Sequence, residues 1–158
     1  MIKKLIKSMV IYTNIKIKHL RKSFFEIVDL LINVGIEFWV ARGLTEQILK
    51  GVIDDDEKNH DIDFHILASD KKKLKAILVD NNYQIKKERF YKIQILAKTD
   101  NRRIEFVFLE DYNGNYIHQS KGIKYTHPKE LFGEHTCNIK GLIVKIPWPL
   151  KQYLMYRN

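Results

Sequence analysis

Apolar side chains recur at helical intervals early in the chain, at Leu20, Phe24, Ile27, Val28, Leu31 and Ile32. The spacing predicts an amphipathic helix over about residues 17–34, ending near Gly35. Residues 37–41, Glu-Phe-Trp-Val-Ala, read as a short apolar strand that Arg42-Gly43 breaks. Residues 44–49 follow as a short helix closed by Gly51, then an acidic, polar loop over 54–59. Residues 61–67, Asp-Ile-Asp-Phe-His-Ile-Leu, form the second strand. Ser69 or Asp70 is placed to cap a helix reaching about Asp80, with Leu74, Ile77 and Leu78 facing inward.

Beyond Asp80 the pattern changes from helical to alternating. Residues 83–87, 91–97 and 103–109 read as three strands, the last two joined by Thr99-Asp100-Asn101. Asn113-Gly114-Asn115 is a strong turn. Residues 116–135 are polar and irregular, with a helical turn at 128–132. Residues 138–146 read as strand around a turn or bulge at Gly141, stopped by Pro147 and Pro149, and a final helix begins near Leu150. With no repeat or linker, residues 1–158 are read as one α+β domain. It has a mixed β-sheet with helices packed on one face, behind a basic N-terminal extension over residues 1–18.

Composition narrows the partners. At 158 residues and 45% hydrophobic, the chain can build its own core. Lys and Arg total 28 against 19 Asp and Glu, a net charge of +9 that attracts polyanions such as nucleotides or nucleic acid. A Lys- and Ile-rich composition also arises from base composition alone, which halves the weight of that charge. The single cysteine, Cys137, excludes an internal disulfide and, with no Cys-x-x-Cys pair, argues against structural zinc. The basic start has no cleavage-site pattern, and no stretch approaches the roughly 20 apolar residues of a membrane span, so a cytoplasmic protein is expected.

The chemistry-bearing segment is His60-Asp61-Ile62-Asp63-Phe64-His65. Strand residues two apart share a face, so Asp61 and Asp63 project together while Phe64 and Ile66 enter a core. Adjacent carboxylates beside a core repel each other unless a cation neutralises them. Asp-x-Asp is short and common in solvated turns; the apolar strand that follows it tips the reading toward a site. Glu105, in the otherwise apolar run Ile104-Glu105-Phe106-Val107-Phe108, is a third candidate ligand or a general base. Mg²⁺ is the hard cation such oxygens prefer, and two ions could stabilise attacking and leaving oxygens together. Gly43 would let the backbone approach a phosphate at the start of the following helix. His65 shares the face of the acids, and a hydrogen-bonding role is favoured over metal ligation. Phe38, Trp39 and Trp148 read as packing, and Tyr153 and Tyr156 as core or acceptor-site wall.

The order Phe38-Trp39-Val40-Ala41-Arg42-Gly43-Leu44-Thr45, then His60-Asp61-Ile62-Asp63-Phe64, then Ile104-Glu105-Phe106, resembles the nucleotidyltransferase superfamily. It is most similar to small lincosamide and aminoglycoside nucleotidyltransferase-like proteins, over about residues 20–158. The resemblance implies a nucleotidyltransferase-like fold and Mg²⁺-dependent transfer of a nucleotidyl group from a nucleoside triphosphate to a small hydroxylated acceptor. It also implies Arg42, Gly43 and Thr45 as nucleotide-binding positions, and Asp61, Asp63 and Glu105 as catalytic and metal-binding ones. The LicD and fukutin type phosphotransferases resemble the same order, with Gln152-Tyr153-Leu154 in the closing helix, and imply a nucleotide-activated donor instead. A non-catalytic nucleotide- or nucleic-acid-binding module is the third alternative.

Four positions depart from the pattern. Arg42 stands where the motif has a small residue, so it either contacts phosphate itself or closes the turn to nucleotide. Gln47 stands where relatives carry an acid, the loop before Asp61 is a few residues longer, and the third acid is Glu.

Overall fold

A computed structural model describes residues 20–51, 61–139 and 141–155. The basic extension, the acidic loop over 54–59, His60 and Tyr156 lie outside the described residues.

The amphipathic segment forms helix α1 (Leu20–Asn33), which buries Leu20, Phe24, Ile27, Val28 and Leu31. Strand β1 (Phe38–Ala41) runs into helix α2 (Gly43–Lys50), and Gly51 ends α2 in the left-handed conformation that glycine adopts without a Cβ penalty. Strand β2 (Ile62–Leu67) leads through a 3₁₀ turn (Ala68–Asp70) into helix α3 (Lys71–Asp80). Neither Ser69 nor Asp70 provides the expected cap: Asp70 occupies the N-cap of α3, but its side chain makes no capping hydrogen bond. The 3₁₀ turn carries the chain directly into the helix instead.

Strands β3 (Lys87–Arg89), β4 (Lys92–Leu96) and β5 (Arg103–Tyr112) complete the main sheet. Its order is β1-β2-β5-β4-β3. Only β2 and β5 run parallel; the other neighbours are antiparallel, which makes the sheet mixed. Residues 83–86 are not strand. Tyr83 is buried there and packs on the core.

The region expected to be irregular is a hairpin. Strands β6 (Asn115–Ser120) and β7 (Ile123–Pro128) pair antiparallel across Lys121-Gly122, whose φ values of 51° and 76° give the two left-handed positions a tight hairpin needs. β6 also pairs with the end of β5 through Glu110, Asp111 and Tyr112. Alternation is hidden here because the buried positions are His118 and His127, polar letters in the sequence. A 3₁₀ turn (Lys129–Leu131) follows, then the ribbon β8 (Thr136–Ile139) and β9 (Leu142–Lys145), which turns at Gly141 with φ 90°. Helix α4 (Leu150–Met155) closes the described chain.

The sheet's two faces differ in chemistry because its strands alternate. Phe38, Val40, Ile62, Phe64, Ile66, Ile104, Phe106 and Phe108 join α1 and α3 in the main core. Phe64 lies centrally, stacked on Phe24 and Phe106 at 5.7 Å and edge-on to Phe38 at 5.5 Å. The opposite face has a smaller cluster of Trp39, Leu109, Leu131, Phe132 and Tyr153. Asp63, His65 and Glu105 belong to this second face. Trp148 is 46% exposed and stacks on His135 at 4.0 Å, so it is less enclosed than its sequence context suggests.

Candidate active site

The turn between β1 and α2 sets the geometry. Arg42 is the N-cap of α2 and has φ 52° and ψ −121°, a conformation suited to glycine. A non-glycine residue held there costs ~1–3 kcal/mol and persists only when its surroundings fix it. Three contacts do so. Thr45, fully buried, donates its hydroxyl hydrogen to the Arg42 carbonyl. The Arg42 amide donates to the Tyr153 hydroxyl at 3.4 Å. The guanidinium Nη2 donates to Ser120 Oγ at 2.9 Å. A Cβ built on Gly43 would meet no atom within 4 Å, which leaves open space at the start of α2.

The other guanidinium nitrogen reaches the acids. Asp63 of β2 and Glu105 of β5 are register partners on adjacent parallel strands, and both are buried. Arg42 Nη1 donates to Glu105 Oε2 at 3.1 Å and lies 3.9 Å from Asp63 Oδ1. Lys92, at the head of β4, donates to Glu105 Oε1 at 3.2 Å. Each Glu105 oxygen therefore accepts from a different cation. Arg102 pairs with Asp100, and Arg103 with Asp61.

Asp61 does not join the pair. It precedes β2, its side chain is 45% exposed, and its carboxylate faces Arg103 at 3.6 Å. Among the described residues, no three His, Cys, Asp or Glu side chains gather to hold a metal. Of the three acids singled out in the sequence, the structure thus gathers Asp63 and Glu105 around two cations, Arg42 and Lys92. The donor chemistry of Asp63 and Glu105 nonetheless fits a hard divalent cation: two carboxylates side by side, in a place that already draws positive charge from two other elements. The Thr45 hydroxyl holds the turn through the Arg42 carbonyl.

Beneath the acids lies a polar network. Val107 offers a carbonyl, which only accepts, so His65 Nδ1 carries the hydrogen donated to it at 3.2 Å. His65 Nε2 then accepts from the Tyr153 hydroxyl at 2.8 Å. Arg42 amide, Tyr153 hydroxyl, His65 ring and Val107 carbonyl form one directed chain. It requires a neutral His65, and burial, helped by His118, His127 and Arg42, pushes that imidazole well below its ordinary range. His65 is thus a hydrogen-bonding core residue that links α4 to the Arg42 turn.

His118 and His127 of the hairpin pack above it, stacked at 4.8 Å and joined by a 2.8 Å hydrogen bond. Burial pushes His127 down to about 4. The unfolded chain binds a proton near pH 6.5 that folded His127 refuses, so acid favours unfolding. This contribution should be absent above pH 7 and grow as pH falls toward 4, reaching roughly 1–2 kcal/mol near pH 5. Melting temperatures across that range, compared with His127→Phe, measure it. An unchanged slope in the variant would assign the effect to another group.

Lys92, Ser120 and the hydrogen bonds of Tyr153 to Arg42 and His65 are missing from the sequence reading, although Tyr153 is the core residue it allowed for. Lys92 had a usable signal: the alternation of Lys92-Ile93-Gln94-Ile95 places Lys92 and Gln94 on the face of β4 opposite the apolar pair. Ser120 had none.

The mixed sheet, with an acid on each of two adjacent parallel strands beside a strand–turn–helix, defines a nucleotidyltransferase fold. A family model described as aminoglycoside-2''-adenylyltransferase matches residues 23–157, and the chain belongs to that family of nucleotide-transferring enzymes. The lincosamide antibiotic adenylyltransferase LnuA, solved with lincomycin bound, is similar in structure: TM-score 0.63, 19% identity, covering 84% of this chain and 83% of that one. ANT(2'')-Ia, solved with adenylyl-2''-tobramycin, gives a TM-score of 0.58 at 15% identity, covering 85% and 83%. A Thermotoga maritima protein described as a nucleotidyltransferase gives 0.54 at 16% identity, covering 89% and 83%. No curated protein matches the chain in sequence. Among the described residues no helix is long and apolar enough to cross a membrane.

Proposed function

We propose that this enzyme transfers a nucleotidyl group from a nucleoside triphosphate to a hydroxyl of a small acceptor of the hydroxylated-antibiotic kind. The observation that carries the reading is the register pairing of Asp63 with Glu105 beside the Arg42-Gly43 turn. In the reaction the acceptor oxygen attacks the α-phosphorus, the bond to the β-phosphate oxygen breaks, and pyrophosphate leaves. The acceptor's proton passes to a carboxylate, and Glu105 is assigned that position because it is buried beside Asp63 with its two oxygens held by Arg42 and Lys92.

Asp63 and Glu105 would hold a divalent cation such as Mg²⁺, which would neutralise phosphate charge and polarise the α-phosphorus. Asp61, half-exposed beside Arg103, precedes the strand that carries Asp63. Arg42 and Lys92 would draw the triphosphate toward the acids, and the open space at Gly43 would admit its oxygens near the α2 amides. The chain's net charge of +9 suits a polyanionic donor. The family match supports a nucleoside triphosphate over the nucleotide-activated donor of the LicD reading. Lincomycin in LnuA and adenylylated tobramycin in ANT(2'')-Ia are the models for the acceptor.

The test is a matrix of the four ribonucleoside triphosphates against lincosamide and aminoglycoside acceptors, with and without Mg²⁺. Pyrophosphate release coupled to an acceptor mass gain of one nucleoside monophosphate is expected for at least one pair. Triphosphate binding without any acceptor product across the matrix would overturn this acceptor class.

A further inference from the structure

We infer that Arg42 competes with the divalent cation for the Asp63–Glu105 pair, acting as the pair's own cation until metal and nucleotide displace it. The inference rests on the metal-binding reading above, and concerns a residue that the motif's small side chain would have left out. One guanidinium nitrogen stands 3.1 Å from Glu105 and 3.9 Å from Asp63, between the two carboxylates that a hard cation would bridge. The other nitrogen is tied to Ser120 on β6. The side chain is mostly enclosed, with 18% of its surface exposed, so its placement is built into the site.

The backbone adds an independent sign. Arg42 keeps a left-handed φ of 52° that glycine would adopt freely, and the His65–Tyr153 relay and Thr45 hold it there. The turn therefore retains the shape of a small-residue turn while directing a long cation into the acids. A guanidinium does not lose its proton, so no pH change within the working range removes it. What can remove it is exchange. An arriving triphosphate offers Arg42 oxygens that match its planar fork, and the divalent ion arriving with it offers the carboxylates a stronger charge. Lys92 remains on the far oxygen of Glu105 and keeps that side chain oriented.

Metal alone should then bind weakly, and metal with nucleotide well. Mn²⁺ serves as the probe, its free concentration read by electron paramagnetic resonance and its heat of binding by calorimetry. Arg42→Gly should bind Mn²⁺ about tenfold more tightly than the wild-type protein, a gain of ~1.4 kcal/mol. Adding Asp63→Asn to that variant should abolish the gain. Arg42→Gln, which shortens the side chain and removes its charge, should also bind Mn²⁺ more tightly; it stands in if the glycine variant does not fold. Arg42→Lys should bind no more tightly than wild type. Equal Mn²⁺ affinity in wild type, Arg42→Gly and Arg42→Gln, lost in each on adding Asp63→Asn, would overturn the competition and leave the metal site standing. No Mn²⁺ binding in any of them, with or without a non-hydrolysable triphosphate, would overturn both.

Discussion

Asp63→Asn should lower the rate of nucleotidyl transfer by about a thousandfold while leaving the protein folded. The substitution keeps the side chain's shape and removes its charge. A divalent cation at the pair would lose one of its two hard anionic ligands, and the developing charge on phosphate would lose the compensation that cation gives. The fold is spared for a separate reason. Asp63 and Glu105 are neighbours in register, so removing one negative charge relieves repulsion across β2 and β5. Glu105 meanwhile keeps its contacts to Arg42 and Lys92. The melting temperature should therefore move by no more than about 3 °C, which corresponds to roughly 1 kcal/mol in a chain of this size. Initial rates of pyrophosphate release, with a melting curve on the same preparation, check both halves. A fall of less than tenfold would remove Asp63 from the mechanism.

Glu105→Gln should behave differently, because Glu105 is the shared counter-ion of the site. Its carboxylate accepts from Arg42 and Lys92, whose side chains are only 18% and 16% exposed. Gln leaves both cations without their charge partner in a largely enclosed place. Breaking a buried pair costs about 3–5 kcal/mol, and the residual exposure here discounts that to roughly 2–4 kcal/mol. The transfer rate should fall by about 10²–10³-fold as well, since the proposed proton acceptor is gone. Chemical denaturation measures the first effect and initial rates the second. The double variant Glu105→Gln with Arg42→Gly removes one stranded cation, so it should recover about half of the lost stability. Recovery of stability without recovery of rate would separate the structural role of Glu105 from its chemical one. A variant as stable as wild type would mean that the two ion pairs contribute nothing measurable.

The two substitutions differ in outcome although both remove a carboxylate from the same site. Asp63 is the acid whose charge is the more weakly countered by Arg42, at 3.9 Å; Glu105 is the acid on which both cations rest. Position in the ion-pair network, and not residue type, decides which loss is structural.

Periodicity alone determined much of the molecule. The helical spacing from Leu20 to Leu31, the alternation through residues 103–109 and the turns at Gly51, Gly114 and Gly141 all depend on neighbours within a few residues. Such patterns record local backbone preference and the side that each element buries, and they survive in the letters. The same rule places Asp63 and Glu105 on the face of their strands opposite the apolar neighbours. The polar hairpin β6–β7 was missed because its buried positions are histidines, whose burial rests on stacking with each other and with Tyr125 and Tyr153. Tyr153 lies on α4, beyond any local window, and the histidines and Tyr125 meet only once the hairpin has paired.

The electrostatics of the site were decided by tertiary structure alone. Whether Arg42 closes on the acids or opens to solvent depends on Ser120, 78 positions away, and on Tyr153, 111 positions away. Asp61 and Asp63 are equivalent in an alternating strand, yet β2 begins only at Ile62, and Asp61 is half-exposed beside Arg103. The sequence thus named the acids that share a face. Only the packing of five elements around Arg42 determined which of those acids meet a cation, because a charge interacts with whatever lies near it in space, whatever its distance along the chain.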